Sequence, residues 1–203
     1  MTSYLTLARD ATAEVEVKRS RFLCTLRRVG DEDAARAVVA ELRAQHWDAR
    51  HHCSAFVLGP RSELQRSSDD GEPAGTAGAP MLEVLRGAGV SDVAAVVTRW
   101  FGGTLLGAGG LVRAYGDAVR AALDEAGTRR RVLLTELALV VDPADAGRIE
   151  SELRARGVAV LDVEYAATVR LLLGSTQPDE VAAHVAALTG GAGLVERVGE
   201  RWV

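Results

Sequence analysis

Four short clusters hold most of the side chains in this chain that could do chemistry. Arg50-His51-His52-Cys53 brings a guanidinium, two imidazoles and a thiol to the start of an apolar run. In an extended strand successive side chains point to opposite faces. His52 then shares a face with Ser54 and Phe56, and His51 with Cys53 and Ala55. Adjacent histidines on opposite faces do not chelate one metal together, so a metal would need one of them with Asp69, Asp70 or Glu72. Cys53 beside a histidine resembles a nucleophile and its base, but the same alternation drives the two apart. Histidines satisfied by hydrogen bonds at a strand end are the plainer reading. The second cluster, residues 67–78, sets Asp69, Asp70 and Glu72 among glycines. Three carboxylates within four residues repel unless they meet a cation, arginines or helix N–H groups. The loop is read either as turns whose Asp and Ser side chains bind local backbone or as the lip of a site.

The third cluster runs from Arg99-Trp100-Phe101 through Gly102, Gly103, Gly107, Gly109 and Gly110 to Arg113. A strand feeding glycines and then a helix exposes N–H groups at a helix start, which favours anions. The pattern is neither a P-loop nor a dinucleotide fingerprint. Close backbone packing is the other use of such glycines. Arg99 and Arg113 suit an anion, and equally suit the acids of the second cluster. Trp100-Phe101 offers flat rings of the kind that stack on bases, with core packing as the alternative. Ser20-Arg21-Phe22 is the fourth cluster and says little alone.

Stepping outward to the supporting elements, alternation over residues 13–17 and 21–26 predicts strands. Asp31 caps a helix whose face is Ala35, Val38, Val39 and Leu42, running to about His46. Residues 52–58 read as a strand, and residues 59–79 as a long aperiodic connection. Pro80 stands where a first-turn proline would open a helix closed by Gly87. Residues 93–97 read as a strand buried on both faces. Leu111, Tyr115, Val119, Ala122 and Leu123 mark a helix ending at Gly127, with Gly116 taken as a point of close packing. Residues 128–131 read as an exposed basic linker. Beyond it the pattern is strand 133–141, helix 144–156, strands 158–163 and 168–173, helix 179–188 and strand 194–202. This βαββαβ order is ferredoxin-like. The expected domains are therefore residues 1–127 and 132–203.

Composition bounds these readings. The chain has 203 residues, 48% hydrophobic and 26% charged, an ordinary folded balance. Aromatics are only 4%, so the core must be built from Ala, Val and Leu. Net charge is −4, split into +1 over residues 1–131 and −5 over 132–203. Nucleic-acid binding through bulk charge is excluded, and any such contact must be a local arginine patch. Lys18 is the only lysine, and arginine is the better fork for phosphate and carboxylate. Cys24 and Cys53 form neither a disulfide framework nor a CxxC pair, so reduced thiols are expected. No run of about 18 apolar residues is present, so no membrane association is expected. Residues 1–10 lack the basic start and apolar stretch of a signal peptide, so a cytoplasmic location is expected.

Four strings, KRSRF (18–22), ARHHCSAFV (49–57), SDDGEPAGTAGAPML (68–82) and TRWFGGTLLGAGGLVRAYG (98–116), together resemble the IMPACT/YigZ family. The likeness is strong over about residues 15–125. It implies an α/β (α+β) fold: a first domain with a left-handed βαβ unit, as in a ribosomal small-subunit protein domain, and a ferredoxin-like second domain resembling an elongation-factor domain. Eukaryotic relatives regulate translation. Their N-terminal partner-binding domain has no counterpart in the strings matched here, so their kinase pathway is not part of the expectation. Family motifs fall on Arg21, Phe22, Arg50, His51, His52, Asp69, Asp70, Gly71, Glu72 and Pro73. They continue at Gly102, Gly103, Gly107, Gly109, Gly110 and Arg113. Trp100-Phe101 replaces the more usual Tyr-Tyr or Tyr-Phe.

With Arg99 added and the turn residues Gly71 and Pro73 set aside, these are the expected binding residues. The expected function is a cytosolic, translation-associated regulator that binds RNA or a ribosomal component. The alternative is an enzyme, a hydrolase or transferase acting on a small phosphorylated or acyl substrate through His and Asp/Glu. A third possibility is that the motifs only stabilise a strained loop. No cofactor and no metal set is expected, and the oligomeric state is open.

Overall fold

The computed structural model describes residues 2–203. The chain divides into two units, Ser3–Arg130 and Arg131–Val203, with Thr2 grouped with the second. The first unit contains β1 (Ser3–Leu7), β2 (Ala11–Val17), β3 (Ser20–Arg28), α1 (Glu32–Gln45), β4 (His51–Leu58) and β5 (Leu64–Ser68). It continues with α2 (Gly78–Gly87), β6 (Val93–Trp100) and α3 (Ala108–Ala126). Its main sheet has the order β2-β3-β6-β4-β5, and every neighbouring pair is antiparallel. Since β3 and β4 both oppose β6, they run parallel to each other, joined through α1 with β6 inserted between.

β6 alternates between two cores. Val93, Ala95 and Val97 face Phe22, Met81 and Tyr115, while Ala94 and Val96 face Val38, Leu42 and Phe56. Helix α1 covers the second face, and α2 and α3 cover the first. Asp31 caps α1, its Oδ1 accepting from the Ala34 N–H at 2.7 Å. Such a cap is worth about 1 kcal/mol. Helix α3 buries Leu111, Ala114, Tyr115, Ala118 and Ala122 along one stripe and stops at Gly127, whose φ of +61° takes the chain out of the helix.

The second unit holds β7 (Thr128–Val141, its first three residues lying in unit one), α4 (Pro143–Ala155), β8 (Ala159–Tyr165), β9 (Val169–Ser175), α5 (Pro178–Leu188) and β10 (Val195–Trp202). Within it the strand order is β8-β9-β7-β10, with antiparallel neighbours. β9 splits the parallel pair β7 and β8, which is the ferredoxin-like arrangement. Leu137, Leu139, Ile149, Leu153, Leu171 and Leu173 fill its core.

Four local expectations are sharpened or corrected. Residues 59–79 are not aperiodic throughout: β5 pairs with β4 there. β5 is short and polar and is held by its backbone ladder, so it carries no hydrophobic period. Helix α2 begins at Gly78, so Pro80 is its third residue. Residues 128–130 are exposed as expected and the unit boundary follows them, but residues 128–131 open strand β7 and form no irregular linker: Arg130 donates to Ser3 Oγ and Arg131 to the Trp202 carbonyl. Gly116 is buried and closely packed as expected, but the nearest atoms to a Cβ built there, from 3.2 Å, belong to the Arg120 side chain and not to backbone.

Candidate functional site

Strand register brings three of the clusters together. His51 pairs with Arg99, Phe22 with Arg99, and Arg21 with Trp100. They meet where β3 and β4 begin and β6 ends. The acidic loop after β5 folds back onto the same end of β4.

That loop is satisfied from within. Asp69 accepts from three backbone N–H groups: Gly75 at 2.7 Å, Ala77 at 3.0 Å and Gly78 at 2.8 Å. Burial works against its charge, yet the N–H groups of Gly75, Gly78 and Ala77 outweigh it and hold the carboxyl below its ordinary range. Asp70 sits at φ +44°, a conformation Asp tolerates. Its Oδ2 accepts from the His52 backbone N–H and its Oδ1 from Arg43, both at 2.7 Å. Glu72 is buried, and its Oε1 accepts from Arg99 and from the Tyr115 hydroxyl. Gly78 closes the loop, because a Cβ there would come within 2.7 Å of the Ser68 backbone.

Acid–base and nucleophilic readings lose their parts. His52 is buried on the α1 face with its Nε2 unpartnered, and burial followed by the Arg43 charge holds its pKa below normal. Asp70 grips the His52 backbone, so the two do not form a ring–carboxylate pair. Cys53 is fully buried and donates to the Asp69 carbonyl and to Tyr115. Burial pushes its thiol up to about 12, so no thiolate forms at neutral pH. Tyr115 is likewise pushed upward, by burial first and then by Cys53. Phe22, expected in the binding set, is wholly buried and packs edge-on to Tyr115 at 5.2 Å. Phe22, His52 and Asp69 are thus engaged in holding the fold. Asp70 is fixed in the frame by its two partners. Glu72 is tied internally but still lines the cavity described below.

The glycine-rich segment is different. Gly102 packs so tightly that a Cβ would land on the backbone of Arg19 and Ser20, and its N–H donates to Ser20 Oγ. From there the chain runs outward. Gly103 and Gly107 take φ of +83° and +72°, and Gly109 faces open space. Gly110 and Leu111 donate to the Gly107 carbonyl as α3 begins, with no side-chain cap. A cavity of about 420 Å³ opens here, lined by Arg50, His51, Glu72, Pro73, Arg99, Phe101, Leu105, Leu106, Gly107, Ala108 and Leu111. His51 Nδ1 meets the Asp70 carbonyl at 2.8 Å, so that nitrogen carries the proton.

Around this end, Lys18, Arg19, Arg21, Arg50 and Arg113 are exposed. Arg21 pairs with Glu14 and lies 4.8 Å from the Trp100 ring. Arg113 stands on α3 outside the cavity. Lys18 and Arg19 form the two-residue turn of the β2–β3 hairpin, at φ +48° and +66°. Sequence reasoning did not single out Arg19, Arg43 or Trp47, and it read Tyr115 only as part of a helix face. Arg43 and Tyr115 act across 27 and 43 residues, and no local pattern signals such pairs. The Lys-Arg turn was within reach, because a two-residue hairpin loop demands positive φ.

Among the described residues no group of three His, Cys, Asp or Glu is placed to hold a metal ion. No helix is long and apolar enough to cross a membrane.

Comparison with known proteins follows the same division. The Impact N-terminal domain model matches residues 18–123, and a domain of unknown function, DUF1949, matches residues 139–192. IMPACT family member YigZ of Escherichia coli is 42% identical over 196 residues, 95% of this chain and 96% of its own length. YvyE of Bacillus subtilis is 43% identical over 167 residues, covering 82% of this chain and 77% of its own. A crystal structure of a hypothetical protein, 40% identical, superposes with a TM-score of 0.68 over 98% of both chains. The two-domain translational regulator Yih1, 29% identical over 61% of this chain and 47% of its own, superposes at only 0.38, too low to carry weight. On its sequence matches over nearly the whole length, the chain belongs to the IMPACT family.

Proposed function

We propose that this protein is a cytosolic, translation-associated binding module that engages RNA, or an RNA-bearing part of the translation machinery, through the exposed end of its first unit. One observation carries the reading. The motif acids are tied up inside the fold, whereas Lys18, Arg50 and Arg113 face outward with no carboxylate partner among the described residues. Phe101 is 46% exposed beside them, and Trp47 83%. Cations interleaved with accessible rings suit a single strand, whose phosphates meet the arginines and whose bases stack. Asp48 and Glu14 temper this surface, and the net charge is −4, so affinity must come from this patch alone. The translational part of the reading rests on family membership.

Filter binding of single-stranded RNA across a salt series tests the proposal. Affinity should fall with salt along a slope set by the few phosphates contacted, and Arg50→Gln with Arg113→Gln should flatten that slope by about two charges. Absence of salt-dependent RNA binding together with absence of ribosome co-sedimentation overturns it.

A further inference from the structure

We infer that the cavity at the start of α3 binds a nucleoside phosphomonoester, with the phosphate at its arginine and helix end and the base against Phe101. This deepens the RNA-binding reading by naming what one pocket on that surface takes.

The cationic end is built before any ligand arrives. Arg99 is only 6% exposed, lines the cavity, and has an Nε with no acceptor among the described residues. Its guanidinium lies 5.3 Å from the Phe22 ring and 5.8 Å from the Phe101 ring, with Glu72 taking one Nη. A buried guanidinium with an unused N–H is costly, and an anion in the cavity that Arg99 lines offsets that cost through its charge. Two further features converge on the same space. Helix α3 is 19 residues long and begins without a side-chain cap, so its first N–H groups and dipole favour negative charge. Arg50 is exposed on the cavity rim with no ion pair among the described residues, while Glu72 is already matched by Arg99.

The donor set selects the anion. Two guanidinium groups and the helix-start N–H groups exceed what the two oxygens of a carboxylate can use. A terminal phosphate, with three oxygens and up to two charges, can engage them together. The apolar part of the lining selects the rest of the ligand. Phe101 and Leu105 are 46% and 83% exposed and offer a flat apolar surface of the kind on which a base stacks. The volume of about 420 Å³ accommodates one nucleotide and excludes a duplex.

The test titrates the full chain with adenosine 5′-monophosphate, adenosine, inorganic phosphate and an acetylated peptide ending in phenylalanine, followed by amide NMR. The monophosphate should shift Ala108 and Gly109 and bind at least about tenfold more tightly than the other three, since phosphate and base act together. Arg50→Gln and Phe101→Ala should each weaken it several-fold with unaltered unfolding, so the result does not depend on altering the buried Arg99. Equal binding of all four probes, preference for the peptide, or shifts outside the cavity overturn the inference. A second arm compares 5′-phosphorylated with 5′-hydroxyl oligoribonucleotides. Tighter binding of the phosphorylated strand identifies the ligand as an RNA end. Monophosphate binding without RNA binding leaves the pocket to free nucleotides and overturns the RNA reading. Equal RNA binding by both strands with no monophosphate binding overturns the pocket and leaves the RNA reading intact.

Discussion

The acidic loop between β5 and α2 and the glycine-rich loop between β6 and α3 lie at the same end of the first unit, yet they are built on opposite plans. The first turns its charges inward. Asp69, Asp70 and Glu72 reach backbone N–H groups, Arg43, Arg99 and Tyr115, and leave little for a ligand. The second is anchored at Gly102 and then turns outward, exposing Phe101, Leu105 and the start of α3. A loop dense in acids is thus the frame, and a loop with almost no charge is the accessible surface. Residue type alone suggests the reverse.

Breaking the frame should have the largest effect. Glu72→Ala strands Arg99 as a buried charge, and urea unfolding should show a loss of about 3–5 kcal/mol. Asp69→Ala removes an acceptor shared by three N–H groups and should lose about 2–3 kcal/mol by the same assay. Stability near that of the wild type in either variant would erase the contrast. Gly102→Ala probes the one point where the outward loop is also frame. Its methyl meets the hairpin backbone, so a loss of about 1–3 kcal/mol is expected.

Acid should separate the loops further. The folded-state pKa of Asp69 is depressed, so its contribution is present above the unfolded value of about 3.9 and is lost as pH falls through the folded one. Asp69→Asn should be less stable at neutral pH, and its melting temperature should fall less between pH 5 and pH 3. The smallest change in stability belongs to the outward loop. Phe101→Ala and Leu105→Ala should stay within about 0.5 kcal/mol of wild type. In RNA binding the order reverses, with about 1–3 kcal/mol lost for Phe101→Ala where a base stacks.

Much of the fold was legible beforehand. The βαββαβ order of the second unit follows from two helical stripes set among alternating strands. The opposed faces of His51 and His52 follow from pleat geometry alone. β1 and β5 were not legible, because a short strand is stabilised by partners that local sequence does not name. In the site, the uncapped start of α3 was readable from glycines before a helical stripe. The burial of Phe22, His52 and Cys53 was less so, since burial depends on which helix covers which face.

The sequence by itself determined the alternation of faces, the helix stripes and caps, the two-unit order and the family. Those are local properties, set by backbone geometry and side-chain size within a few residues. Only the tertiary structure decided the pairings. Arg99 took Glu72 and left Arg113 free, and Asp70 took Arg43. These bonds span 27 residues each; the register of β4 on β6 sets Arg99 beside His51, and helix α1, packed on the sheet, carries Arg43 to Asp70. Charge complementarity allowed several partners, and strand register chose among them.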